Sequence, residues 1–145
     1  MNPSFYLKQT SRKKYVIDSY AWIEYFRGSS EGLIAQQYIE TTTPILPTIV
    51  LAEVYNKLLR WIETGNETPE GTEKKINFMM RISEIAELTV DIALKAAEIN
   101  QQMKKKKEGW GLADSIIYAT ALLHKALVVT GDEHFRDLPL VIMIK

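Results

Sequence analysis

A three-layer α/β domain with a short, mostly parallel central sheet is the fold class this sequence predicts, and three observations carry the prediction. Short apolar runs of strand character alternate along the chain with stretches of helical periodicity. Each early run passes almost directly into a helix, so the strands are linked through helices. The length, 145 residues, is that of a single domain able to bury most of its apolar surface without disulfides or metal staples.

The elements follow in order. Residues 15–17 (Tyr-Val-Ile) have the β-branched, apolar character of a buried strand, and Asp18-Ser19 ends it. Trp22, Ile23 and Phe26 then recur at helical spacing up to Gly28. A second helix is expected through Leu33, Ile34, Tyr38 and Ile39, broken at Pro44. Ile45-Leu46-Pro47 reads as a very short strand, and Thr48 as the cap of a helix to Glu63 with Val50, Val54, Leu58, Trp61 and Ile62 on one stripe. Thr68-Pro69 is a cap followed by proline at the first helical position, opening a helix to about Arg81. A strand over 85–90 precedes a helix from Asp91 that runs into the lysines at 104–107. After the glycine loop at 109–111 come a helix over 112–125, the clearest strand at 126–130, a loop at 131–135 and a last strand over 140–144. Residues 1–13 are an N-terminal extension, and 14–145 form the domain.

Composition removes several functions. Without cysteine there is no disulfide, thiolate nucleophile or cysteine-held zinc. No apolar run reaches membrane-spanning length and the N-terminus has no signal-peptide core, so a cytoplasmic protein without a membrane partner is expected. Eighteen basic residues balance eighteen acidic ones, so nucleic-acid binding has to come from local basic patches or bound metal.

The acids are the informative residues. A strand that ends on Asp18 and turns into a helix puts that carboxylate at the carboxyl edge of the sheet, where open α/β sheets bind ligands. Asp132 repeats the arrangement two residues after Thr130. Asp114 falls in the first turn of the helix after the glycine loop, and Glu53 early in its helix at the border of the apolar stripe. Four such acids without a basic partner in their motifs repel one another, and a hard divalent cation removes that cost. Magnesium pairs such a site with phosphate oxygens and activates water. No phosphate-binding glycine loop is present.

The segments Ile17-Asp18-Ser19-x-x-Trp22, Leu51-Ala52-Glu53-Val54, Leu112-Ala113-Asp114-Ser115 and Val129-Thr130-Gly131-Asp132-x-x-Phe135 resemble, in this order and spacing, the PIN domain. They are most similar to its small stand-alone members, the VapC-type toxins of toxin–antitoxin pairs. The resemblance implies a magnesium- or manganese-dependent endoribonuclease, with Asp18, Glu53, Asp114 and Asp132 as its acidic set. Ser19 and Thr130 match hydroxyls that line the site. It also implies an RNA substrate and an antitoxin protein as partner. His134 stands where many members carry another acid, and the lead-in before the first strand is longer than in most small members.

Local roles compete with these assignments. Asp18 is also placed to cap its helix, Asp114 to meet a helix dipole, Asp132 to make a turn, and Glu53 to pair with Lys57. A PIN nuclease of RNA processing and a catalytically silent interaction module are the alternative functions. His124 and His134 read as surface or helix-end residues. The lysines at 104–107 and the basic cluster at 12–14 are candidate phosphate contacts, with a solvated helix end as the plain alternative for the lysines. Trp22, Trp61, Met79 and Met80 read as core or interface packing, and a homodimer is the expected assembly.

Overall fold

The computed structural model describes residues 12–145, so the predicted extension lies outside the described residues except for Arg12 and Lys13. Five strands alternate with six helices: β1 (Lys14–Ile17), α1 (Ser19–Arg27), α2 (Ser30–Glu40), β2 (Ile45–Pro47), α3 (Thr48–Glu63), α4 (Pro69–Ile82), β3 (Glu84–Ala86), α5 (Val90–Met103), α6 (Leu112–Leu123), β4 (Ala126–Thr130) and β5 (Val141–Met143). The sheet order is β3-β2-β1-β4-β5, and every pairing is parallel. The predicted three-layer α/β class holds, and the sheet is wholly parallel.

Helices cover both faces of the sheet, which is why its central strands are apolar without alternation. Val16, Ile17, Val128 and Val129 are fully buried, as are Trp22, Leu46, Val54, Leu58 and Phe135. β1 and β4 form the longest pairing, from Lys14 opposite Ala126 to Ile17 opposite Val129. From β1 the chain moves outward through β2 and β3, then returns to the other side of β1 as β4. The order therefore reverses between β1 and β4. At such a point the connections leave in opposite directions and open a crevice at the carboxyl ends of the strands.

Several boundaries differ from the sequence reading. The third strand is Glu84–Ala86 because Thr89 caps α5, its hydroxyl accepting from the Ile92 amide at 3.2 Å. Residues 89 and 90 thus belong to a helix start. At α3, Pro47 occupies the cap position without a side-chain hydrogen bond, and Thr48 is the first helical residue. α6 stops at Leu123, with Lys125 at φ 52°, and Leu140 turns at φ 61° before β5. The loop after β4 contains a short 3-10 turn, Glu133–Phe135. Gly28 does end α1, in the left-handed conformation (φ 66°) that glycine adopts without cost.

α1 and α2 pack very closely at Gly32. A Cβ there would lie 2.0 Å from the Glu24 carbonyl oxygen, a backbone atom with no freedom to retreat. Gly32→Ala is therefore expected to destabilise the fold by roughly 1–3 kcal/mol, as overpacking does. Urea unfolding should show a lower midpoint with an unchanged slope; an unchanged midpoint would show that the two helices separate freely.

Candidate metal centre

Asp18 is held at the end of β1 by both backbone and side chain. Its amide donates to the Val129 carbonyl at 2.9 Å, extending the β1–β4 ladder by one residue. One carboxylate oxygen accepts from the Ser19 amide at 2.8 Å, so the local capping role is real. The other accepts from the Thr130 hydroxyl at 2.7 Å. The Thr130 oxygen in turn accepts from the Asp132 amide at 3.0 Å, and Asp132 Oδ1 accepts from the His134 amide at 3.0 Å. One continuous chain of hydrogen bonds thus sets Asp18 and Asp132 relative to each other. Thr130 itself is fully buried, while Ser19 lines the cleft.

Asp114 occupies the first turn of α6, and its Oδ2 accepts from the Gly111 amide at 3.0 Å, a reach back to the helix start that satisfies an orphan donor. Behind it the glycine loop is anchored by Trp110. The indole Nε1 donates to the Ser115 hydroxyl at 2.7 Å, and that hydroxyl donates to Asn100 at 3.2 Å. The Trp110 ring also packs 5.1 Å from the Phe135 ring, which follows Asp132. Glu53 lies in the second turn of α3. It forms no ion pair with Lys57 among the described residues, and its Oε1 is buried without a hydrogen-bond partner.

Asp18, Ser19, Glu53, Asp114 and Asp132 all line one cleft of about 570 Å³. The four predicted acids thus meet. Burial pushes the Asp18 carboxyl up to about 7 against the opposing Thr130 bond, and the charges of Glu53 and Asp132 add to the shift. Burial also raises Glu53 and Asp114, with neighbouring carboxylates contributing to both. The tightest group of metal-ligating atoms comprises Asp114, Asp132 and His134, one atom from each lying within 4.8 Å of the others. His134 Nδ1 is 3.1 Å from Asp132 and 3.9 Å from Asp114, so this histidine stands at the acids. A desolvated carboxylate set with an unpartnered buried oxygen fits a hard divalent cation, which takes oxygen ligands and cancels their repulsion.

The basic candidates lie away from the acids. Arg12, Lys13 and Lys14 line a depression with residues 41–43 and Glu84, at the amino ends of the strands and so at the opposite edge from Asp18. α5 ends at Met103, and none of the lysines at 104–107 lines the acidic cleft. Lys107 instead donates to the Arg136 carbonyl, fastening the loop before α6 to the turn after β4. The cations that do line the cleft are Arg27, Lys57 and Arg60. Sequence reading missed them as a set, although Glu53, Lys57 and Arg60 share helical spacing.

Stability should follow pH in a defined sense. Acids whose pKa is raised by folding bind protons more tightly in the native state, so they favour folding at low pH and lose that contribution as pH rises. For Asp18 the loss runs from the ordinary carboxylate range up to about 7. The melting temperature in chelator is expected to fall between about pH 5 and pH 7, and magnesium or manganese should recover part of it at the upper end. Asp18→Asn should flatten the decline. A melting temperature that rises across this window would contradict the desolvated acidic centre.

Residues 15–140 match the PIN domain. No curated protein matches the chain significantly. Among solved structures, a toxin–antitoxin complex from Klebsiella pneumoniae contains a chain with 23% identity and a TM-score of 0.69, over 92% of this chain and 98% of that one. A chain of VapBC2 from Rickettsia felis, bound to a promoter DNA fragment, is 18% identical with a TM-score of 0.67, over 89% and 96%. VapC20 from Mycobacterium tuberculosis, a sarcin-ricin loop cleaving toxin, is 14% identical with a TM-score of 0.70, over 88% and 97%. Those likenesses concern the fold, and the match along 15–140 supplies the family: the chain belongs to the PIN domain family.

Proposed function

We propose that this protein is a magnesium- or manganese-dependent endoribonuclease and the toxin of a toxin–antitoxin pair. The observation that carries the reading is the meeting of Asp18, Glu53, Asp114 and Asp132, from four separate segments, in one cleft where burial raises three of them and, among the described residues, no lysine or arginine pairs with them. Asp18, Asp114 and Asp132 would hold the metal, with Glu53 as a further ligand or as the group that orients the attacking water and accepts its proton. When bound, the cation supplies charge neutralisation at the phosphoryl oxygens and lowers the pKa of water. Thr130 keeps Asp18 in place, as outer hydrogen bonds do for metal ligands. Ser19, on the cleft wall, is placed to meet the substrate.

The toxin role draws support from the solved relatives, which include toxin–antitoxin complexes from Klebsiella pneumoniae and Rickettsia felis and a toxin that cleaves the sarcin-ricin loop. An antitoxin protein is accordingly the expected partner. A homodimer belongs to the same reading, and exposed Val90 and Leu94 on α5 offer apolar surface for one. No helix among the described residues is long and apolar enough to cross a membrane.

Incubation with total bacterial RNA tests the activity. Discrete cleavage is expected with magnesium or manganese, and none in chelator. Asp114→Asn should lower the rate by about 100-fold or more, the upper end for disturbing a metal site, while the metal-free protein melts no earlier than the parent. Equal cleavage by the variant would remove Asp114 from the centre, and an early-melting variant would make it a structural cap. Expression in a bacterial host should slow growth, with relief by Asp18→Ala; equal growth of both strains counts against the toxin role.

A further inference from the structure

The cleft continues past the acids. Arg27 and Lys57 also border a neighbouring depression of about 520 Å³, whose walls include Phe26, Trp61 and Asn66. Glu53, Lys57, Arg60 and Trp61 follow one another along one side of α3 at helical spacing. Arg60 lies seven positions beyond Glu53, roughly 10 Å at 1.5 Å per residue. That is about three steps of a stacked strand at ~3.4 Å each. Neither Lys57 nor Arg60 is in an ion pair among the described residues, and Arg27, joined to Glu24 at 3.2 Å, stays exposed.

We propose that Arg27, Lys57 and Arg60 form a phosphate tract for single-stranded RNA leading away from the acids, and that Trp61 with Phe26 forms a base-stacking subsite beside it. This rests on the nuclease reading and adds where the substrate lies. A chain of zero net charge has no long-range field to gather RNA, so affinity has to come from local cations. Cations in a groove next to aromatic faces are the pattern that holds single strands, since every base has a stacking face. An acidic peptide would satisfy the cations and leave the aromatic wall without a planar partner. Trp22 and Trp110 are buried, at 0% and 4% exposure, whereas Trp61 is partly open, so Trp61 is the tryptophan that a ligand in this depression can reach.

The test is an anisotropy titration of a short, dye-labelled oligoadenylate RNA with Asp114→Asn protein, with magnesium present, over a series of salt concentrations. Unlabelled RNA should also quench the tryptophan emission of protein that keeps Trp61. Lys57→Gln with Arg60→Gln should weaken binding at least about tenfold and reduce the slope of log affinity against log salt by about 1.4, at ~0.7 per lost phosphate contact. Lys57→Arg with Arg60→Lys should restore the slope. Trp61→Leu should weaken binding roughly tenfold, and Trp61→Phe should recover it by keeping a stacking face. Neutralising Lys104, Lys105 and Lys106 together should change nothing. An unchanged slope in the double glutamine variant, or a polyglutamate peptide that binds and quenches as strongly as RNA, overturns the tract. If wild type cuts RNA while the double glutamine variant keeps its affinity and slope, the tract falls and the nuclease reading stands. If wild type neither cuts nor binds RNA, both fall.

Discussion

The Thr130 hydroxyl donates to the Asp18 carboxylate at 2.7 Å in the buried centre of the molecule, joining residues 112 positions apart in sequence. That bond exists because β1 and β4 lie side by side and in parallel, ending at the same level with Ile17 opposite Val129. Parallel pairing puts both carboxyl ends at one edge, and the reversal of strand order between them opens the crevice there. Glu53 and Asp114 reach that crevice because α6 packs on this central pair and α3 packs on β2 and on α6. Loss of the β1–β4 register would move Asp18 away from Asp132, and with it the whole centre.

The same arrangement costs stability. Asp18 is 3% exposed, and the hydrogen bonds from Ser19 and Thr130 do not offset its desolvation, so its carboxyl is pushed up to about 7. Glu53 has one buried oxygen, Oε1, without a hydrogen-bond partner among the described residues. A protein selected for stability alone would replace such groups with apolar residues or pair them with cations. Here the nearby cations, Lys57 and Arg60, lie further along α3 without pairing to the acids. The supporting structure is correspondingly firm: the Trp110–Ser115–Asn100 network and the Trp110–Phe135 contact brace the segments that carry Asp114 and Asp132. Strain at a site of this kind is tolerable where the surrounding packing over-determines its geometry.

Charge in this molecule is arranged by place and not by amount. The basic cluster at 12–14 lies at the amino edge of the sheet, where it meets neither the acids nor the cleft. Lys107 is spent on a carbonyl that fastens two loops together. Three cations on α1 and α3 border the acidic cleft, so this neutral chain gathers both signs of charge in one place. The run of four lysines does not line the acidic cleft.

The sequence by itself determined the element order, the fold class and the four acids. Strand-then-acid at Asp18 and Asp132, and helix-start placement at Asp114, are local patterns whose meaning depends only on neighbours a few residues away. It also determined the cap at Thr68 and the glycine stop at Gly28, because capping is settled within one turn. Short-strand boundaries were less legible: at β3 the contest between Ile85-Ala86 as strand and Thr89 as helix cap is decided by pairing with β2. Tertiary structure alone decided that Thr130 serves Asp18, that His134 stands 3.9 Å from Asp114, and that Arg27, Lys57 and Arg60 share a cleft with the acids. Each of those facts joins segments far apart in the chain, and such distances are set by the register of a parallel sheet and the packing of helices on it, which no local pattern encodes.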